Sequence, residues 1–86
     1  MNSDLNELRR IALAYSKLKT FVFVEEVINS KISYYNGRIL KVYDDMILFY
    51  DDKLQKEFPI LFETITLLKP SRKKEGENGW TNWRSF

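Results

Sequence analysis

Two kinds of side chain in the middle of the sequence suit nucleic-acid contact: aromatic rings, on which bases stack, and cations, which attract phosphates. The aromatic residues there are Tyr34, Tyr35, Tyr43, Phe49 and Tyr50, and the neighbouring cations are Lys31, Arg38 and Lys41. Because alternate residues of a strand face opposite sides of a sheet, about half of these rings belong to the core. The alternative is cross-strand packing of the rings, with the cations extended along their edges.

A second combination of cations and rings lies near the end of the chain. Arg72, Lys73 and Lys74 follow one another, and Trp80, Trp83 and Phe86 come after them. Three interpretations of the tryptophans remain open. They fold back onto their own chain or a neighbouring subunit, they anchor a partner protein, or they contact nucleic acid.

Two acidic pairs raise the question of a divalent metal ion, because hard cations prefer carboxylate ligands. The pairs are Asp44-Asp45 and Asp51-Asp52. A strand between them separates Asp45 from Asp51 by roughly 20 Å, at about 3.3 Å per residue. Each pair is therefore interpreted as turn chemistry, because Asp side chains hydrogen-bond nearby backbone amides. No metal site is predicted.

The residue types exclude several classes of protein. The chain has no Cys and no His, which removes disulfides, zinc–thiolate sites and the commonest general base. The sequence has no nucleophile–base pair and no glycine-rich phosphate loop, so we predict neither an enzyme nor a cofactor. The net charge of +2 is too small to indicate a nucleic-acid partner by itself.

These residues must be positioned by one helix followed by strands. Apolar residues recur at steps of three and four from Leu5 to Leu18, which predicts a helix over residues 4–18. The strands are predicted at residues 21–28, 32–43, 46–50, 54–62 and 64–68. Asn36-Gly37 is either a hairpin turn or a bend within one long strand. Pro59 places the fourth strand at an edge or at a bulge.

One helix and five short strands predict a mainly β fold, a small and strongly bent open barrel. We assign residues 1–70 to this barrel with its helix. Residues 71–86 are assigned to a polar, tryptophan-containing tail.

The stretch from Gly37 to Leu48 resembles the first motif of the Sm-like (Sm/LSm) family. It has a glycine in the second strand, hydrophobic residues two and five positions later, an acidic turn, and then Met46 with an apolar strand. Residues 60–70 resemble the closing strands of the family, so the resemblance covers about residues 4–70. It implies a five-stranded open barrel of the Sm-like or SH3-like kind, which binds RNA and whose edge strands pair between subunits.

Two departures from the family pattern remove its uridine pocket. Ile47 stands where the family has an Asn, and residues 62–64 lack the basic residue and glycine of the second motif. An amide can pair with a base edge, and an isoleucine cannot. We predict an Sm-like module that binds RNA without this pocket. The alternative is a protein-interaction or assembly module with no nucleic-acid role.

The predicted RNA contacts are Lys31, Tyr35, Arg38, Lys41, Arg72, Lys73 and Lys74, and the predicted partner-protein contacts are Trp80, Trp83 and Phe86. Self-association through strand edges is expected, because residues 64–68 are apolar and free of proline. The resemblance implies a ring of about five to seven subunits. No apolar run reaches the roughly 20 residues of a membrane span, so a cytoplasmic location without membrane contact is expected.

Overall fold

A computed structural model describes residues 2–73 of the chain, with the side chains of residues 5–73. In chain order the elements are α1 (Asn2–Leu18), β1 (Val22–Ile28), β2 (Lys31–Val42), β3 (Met46–Asp51), β4 (Lys56–Leu61), a 3₁₀ turn (Phe62–Thr64) and β5 (Ile65–Pro70). All strand pairs are antiparallel, and the sheet order is β4-β3-β2-β1-β5. The prediction of a mainly β fold with an N-terminal helix and five strands is therefore confirmed. The division at residue 71 stays a prediction.

Helix α1 covers the core with one apolar stripe, as its periodicity predicted. Ala12 is completely buried, and Leu5, Leu8 and Tyr15 pack against the buried cluster. Lys19 ends the helix in the left-handed conformation, with φ of 56°. The amide of the following residue donates to the carbonyl of Tyr15 at 3.0 Å, which satisfies one of the helix's terminal carbonyls.

Gly37 lies inside one continuous strand, which decides between the two interpretations of Asn36-Gly37. The residues of β2 before Gly37 pair with β1, and those after it pair with β3. Gly37 itself pairs with both Val22 and Asp51. A Cβ at this position would lie 1.8 Å from the carbonyl oxygen of Tyr50. Only glycine permits this close approach of two backbones, so the long strand bends here.

The turn between β3 and β4 extends further along the chain than the sequence predicted. The carboxylate of Asp51 accepts a hydrogen bond from the amide of Leu54 at 2.6 Å. Gln55 takes a left-handed conformation, with φ of 56°, and its amide donates to the carbonyl of Asp51. The prediction that β4 starts at residue 54 was therefore wrong by two residues. Pro59 does lie on an edge strand, as predicted.

The core lies between one face of the sheet and α1. Its buried members are Ala12, Val22, Val24, Ile39, Ile47, Phe49, Ile60, Phe62 and Ile65. The two edge strands, β4 and β5, are at opposite ends of the sheet order, which leaves the sheet open. Within residues 2–73 no helix is long and apolar enough to cross a membrane.

Candidate nucleic-acid interface

A ladder of three side chains crosses the outer face of the sheet. Val22 and Val24 are buried, so the alternation of the strand directs Phe23 outward. Phe23 stacks on Tyr34 of β2, with ring centroids 5.7 Å apart and planes 23° from parallel. On β5, Lys69 pairs with Phe23, and its Nζ lies 5.6 Å from the Phe23 ring centroid. The ladder combines a cation–π contact with an aromatic stack.

A groove of about 550 Å³ runs beside this ladder. We call it the cationic groove, and the residues that line it are Phe23, Tyr34, Asn36, Lys69, Ser71, Arg72 and Lys73. Among these described residues three are cations and none is acidic. The groove therefore has a net positive charge and exposed aromatic surface. Single-stranded nucleic acids bind to surfaces that combine these two properties.

Backbone and side-chain hydrogen bonds hold the chain in place after β5. The amide of Ser71 donates to the carbonyl of Phe21 at 2.8 Å. The hydroxyl of Ser71 pairs with Oδ1 of Asn36 at 2.6 Å. The amide of Lys73 in turn donates to the Ser71 hydroxyl at 3.0 Å. These contacts fix Arg72 and Lys73 beside the ladder, although both residues are exposed.

A second groove, of about 450 Å³, begins on the other side of Tyr34. It shares Tyr34, Asn36 and Lys73 with the cationic groove, so the two grooves are adjacent. Its far wall is the turn that carries Lys53 and Leu54. Asp51 and Asp52 also line it, but their side chains are only 3% and 8% exposed.

Tyr35 faces the opposite side of β2 from Tyr34. Its ring packs against Phe49 and Phe58, with centroids 6.2 and 5.1 Å away. Its hydroxyl donates to the carboxylate of Glu26 at 3.2 Å. Burial raises the pKa of the Tyr35 hydroxyl above its ordinary value, and the nearby carboxylate of Glu26 acts in the same direction. Tyr35 therefore belongs to the core side of the sheet.

The structure brings only some of the predicted RNA contacts together. Arg72 and Lys73 both line the cationic groove. Lys31 and Lys41 are exposed near opposite ends of β2, and Lys41 lies about 23 Å along the strand from Tyr34, at about 3.3 Å per residue. Arg38 is on the outer face opposite Tyr50. The remaining predicted contacts, at Lys74, Trp80, Trp83 and Phe86, lie outside the described residues.

Sequence reasoning did not select Phe23, Tyr34 or Lys69 as site residues. The alternation of Val22, Phe23 and Val24 carries a signal for the outward direction of Phe23. The contact between Phe23 and Lys69 has no such signal, because it depends on the pairing of β1 with β5.

Ile47 and residues 62–64, where the sequence departs from the pattern of the family it resembles, have structural contacts of their own. Ile47 is completely buried and contributes to the core. The guanidinium of Arg9 donates two hydrogen bonds to the carbonyl of Asp44, at 2.6 and 2.9 Å, and lies 5.9 Å from the Phe62 ring centroid. A side chain from α1 thus contacts both the β2–β3 turn and the 3₁₀ turn, and it lines a cavity of about 320 Å³ between them.

The fold and the groove define a mainly β chain with one cationic, aromatic groove on the outer face of its sheet. We find no match between this chain and any protein-family model or any curated protein.

Proposed function

We propose that this chain is an RNA-binding module on a small Sm-like barrel, and that the RNA lies in the cationic groove. The observation that carries the proposal is the ladder of Lys69, Phe23 and Tyr34 beside Arg72 and Lys73. Cations positioned next to an exposed aromatic ring can bind the phosphate and the base of the same nucleotide.

The electrostatics of the groove support an anionic ligand. Lys69, Arg72 and Lys73 are exposed, so their charges remain hydrated and accessible to phosphates. On β1, the carboxylate of Glu25 accepts a hydrogen bond from the hydroxyl of Thr66 at 2.8 Å. Because exposed phosphate contacts release counterions, binding at this groove weakens steeply as salt increases.

The strand order supports the Sm-like barrel. The chain has its helix first, a long bent second strand with Gly37 at the bend, and edge strands β4 and β5 at the two ends of the sheet. This is the order of elements that the family resemblance implies. The binding site that we propose nevertheless differs from the family's uridine pocket, because Ile47 and Arg9 occupy that region with packing and backbone contacts.

The test compares two double variants of equal charge change in a binding titration with a fluorescently labelled single-stranded RNA. Lys69→Ala/Lys73→Ala removes two cations from the groove. Lys17→Ala/Lys56→Ala removes two exposed cations from α1 and β4. For single strands each phosphate contact contributes about 0.7 to the slope of log affinity against log salt concentration. The groove variant should therefore weaken binding and flatten this slope by about 1.4.

The control variant should change the affinity and the slope only slightly. An equal effect of the two variants would show that RNA senses the net charge of the protein and not the groove. Absence of RNA binding by the unaltered chain would favour the alternative function, an assembly module without a nucleic-acid role.

A specific observation also favours self-association. Leu61 on β4 and Leu67 on β5 are 41% and 40% exposed, and both lie on edge strands. Their neighbours Ile60 and Leu68 point to the core, so both leucines face outward at the two free edges. Pairing of β4 in one subunit with β5 in the next would remove both from water. We propose this pairing as the route of assembly.

A further inference from the structure

The sheet is incomplete next to Tyr34. β3 ends at Asp51, which pairs with Gly37. Tyr34 lies three residues before Gly37 in β2, so β3 does not reach the position beside it. The chain turns away there through residues 52–55 toward β4. An opening therefore remains between Tyr34 and this turn, where a longer β3 would have placed another side chain.

The opening reaches Tyr34 from the side that the ladder does not cover. β1 lies between β5 and β2, so Lys69 and Tyr34 are on opposite sides of Phe23. Phe23 thus contacts a cation on one side and a ring on the other. Among residues 5–73 the ring that stacks on Tyr34 is Phe23, and Tyr34 is 59% exposed and lines the second groove.

The far wall of the opening and its rim have the chemistry that a nucleobase requires. Leu54 is 53% exposed and offers an apolar surface across the groove from Tyr34. Lys53 and Lys73 line the same groove together with the nearly buried Asp51 and Asp52, and Lys73 also lines the cationic groove. A base in the opening would therefore have its phosphates next to the cations of both grooves.

We propose that the opening between Tyr34 and Leu54, here called the Tyr34 slot, holds one unpaired base of a single-stranded RNA. The base extends the ladder by one layer, while Lys69, Arg72 and Lys73 bind the flanking phosphates. Stacking is tolerant of base identity because every base has an aromatic face. Duplex RNA does not use the slot, since its bases are already stacked and paired. This inference rests on the proposed function.

The experiment measures both affinity and stacking. A single-stranded RNA that carries one 2-aminopurine is titrated with the unaltered chain, and its fluorescence falls when the modified base stacks on a ring. Tyr34→Leu should lower the affinity roughly tenfold, as expected for the loss of one base stack. It should abolish the quenching and leave the salt slope unchanged, because the phosphate contacts remain.

Two further variants provide the controls. Tyr34→Phe retains the ring and should bind and quench like the unaltered chain, which also tests whether substitution at this position preserves the fold. Tyr43→Leu removes an exposed tyrosine, 41% accessible, that directly follows the other end of β2. It should change neither the RNA affinity nor the quenching. Duplex RNA of the same sequence should bind more weakly than the single strand and with equal affinity to the unaltered chain and to Tyr34→Leu.

Some results would overturn the slot without affecting the proposed function. One is equal loss of affinity in Tyr34→Leu and Tyr43→Leu, and another is single-strand binding without quenching. In both cases a flatter salt slope for the Lys69→Ala/Lys73→Ala variant would still show that RNA binds in the cationic groove. If that variant keeps the full slope, the proposed function fails, and the slot fails with it.

Discussion

Gly37 is the residue on which the bend of the sheet depends. Its Cα is so close to the neighbouring strand that an added Cβ would lie 1.8 Å from the Tyr50 carbonyl oxygen and 3.0 Å from the Phe49 ring. The first of these contacts is to backbone, which cannot rotate away as a side chain can. One of the two strands must therefore move if Gly37 is replaced, and the pairing of β2 with β3 weakens.

We expect Gly37→Ala to lower the free energy of unfolding by about 3 kcal/mol, at the upper end of the range for overpacking. Urea denaturation measures the change as a lower midpoint with an unchanged slope. Lys41→Ala, at an exposed position of the same strand, should stay within about 0.5 kcal/mol of the unaltered chain. Equal stability of Gly37→Ala and the unaltered chain would show that the two backbones separate without cost.

The choice between Tyr34 and Tyr35 shows how far residue patterns predict the candidate site. The sequence indicates that this segment carries rings beside cations, and it indicates a strand. Which ring faces outward depends on which alternate residues of β2 face the core. In the structure Tyr35, Gly37 and Ile39 share the inner face. The sequence alone left Gly37 as a turn or a bend, so this alternation was open, and Tyr35 rather than Tyr34 was selected for RNA contact.

At the scale of elements, Arg9 links α1 to two turns of the sheet. Its guanidinium donates to the Asp44 carbonyl in the β2–β3 turn and lies over the ring of Phe62 in the 3₁₀ turn. The amide of Phe62 donates to the carbonyl of Asp45 at 2.9 Å, which joins the two turns directly. The side chain of Arg9 therefore holds α1 against both the β2–β3 turn and the 3₁₀ turn.

We expect Arg9→Ala to lower the free energy of unfolding by about 1–2 kcal/mol, the contribution of a partly exposed charged hydrogen bond. Thermal unfolding followed by circular dichroism measures this loss. The matched variant is Arg10→Ala, whose side chain is 74% exposed and pairs with Glu7 on the helix surface. An exposed pair of this kind contributes about 0–1 kcal/mol. Equal effects of the two variants would contradict the role given to Arg9.

Local sequence signals predicted the elements themselves better than their ends. The period of α1 and the apolar runs of β1 and β3 are strong signals, and those elements lie within two residues of their predicted ranges. Residues 54 and 55 looked like strand because of Leu54, but the carboxylate of Asp51 and the left-handed Gln55 extend the turn through them. Residues 62–64 form a 3₁₀ turn where strand was predicted up to residue 62.

At the scale of the whole molecule, the pairing of β1 with β5 creates the candidate site. It joins Phe23 to Lys69 across 46 positions of sequence and brings Arg72 and Lys73 beside them. Periodicity and propensity describe neighbours in the chain, and they carry no information on such a distant pair. The cationic groove could therefore not be predicted from the sequence, although Arg72 and Lys73 were each predicted to contact RNA.

Within the described residues the same topology places β4 and β5 at the two edges of the sheet, and the last prediction concerns these edges. β5 has no proline before its last residue, Pro70, and it carries the outward Leu67. β4 carries the outward Leu61, but Pro59 within it lacks an amide donor and interrupts part of the ladder. Unprotected edges pair with other chains, and head-to-tail pairing of unlike edges closes into rings.

We therefore expect light scattering at tens of micromolar to give a mass several times the 10.3 kDa of one chain. Leu67→Lys places a charge at the β5 edge, where it should shift the protein toward monomer because the charge loses water on pairing. Leu40→Lys adds the same charge at a residue of similar exposure, 45%, in the interior strand β2, and should leave the oligomer intact. A monomeric unaltered chain would reject edge pairing. Dissociation by both variants would instead indicate that added charge, rather than the β5 edge, controls assembly.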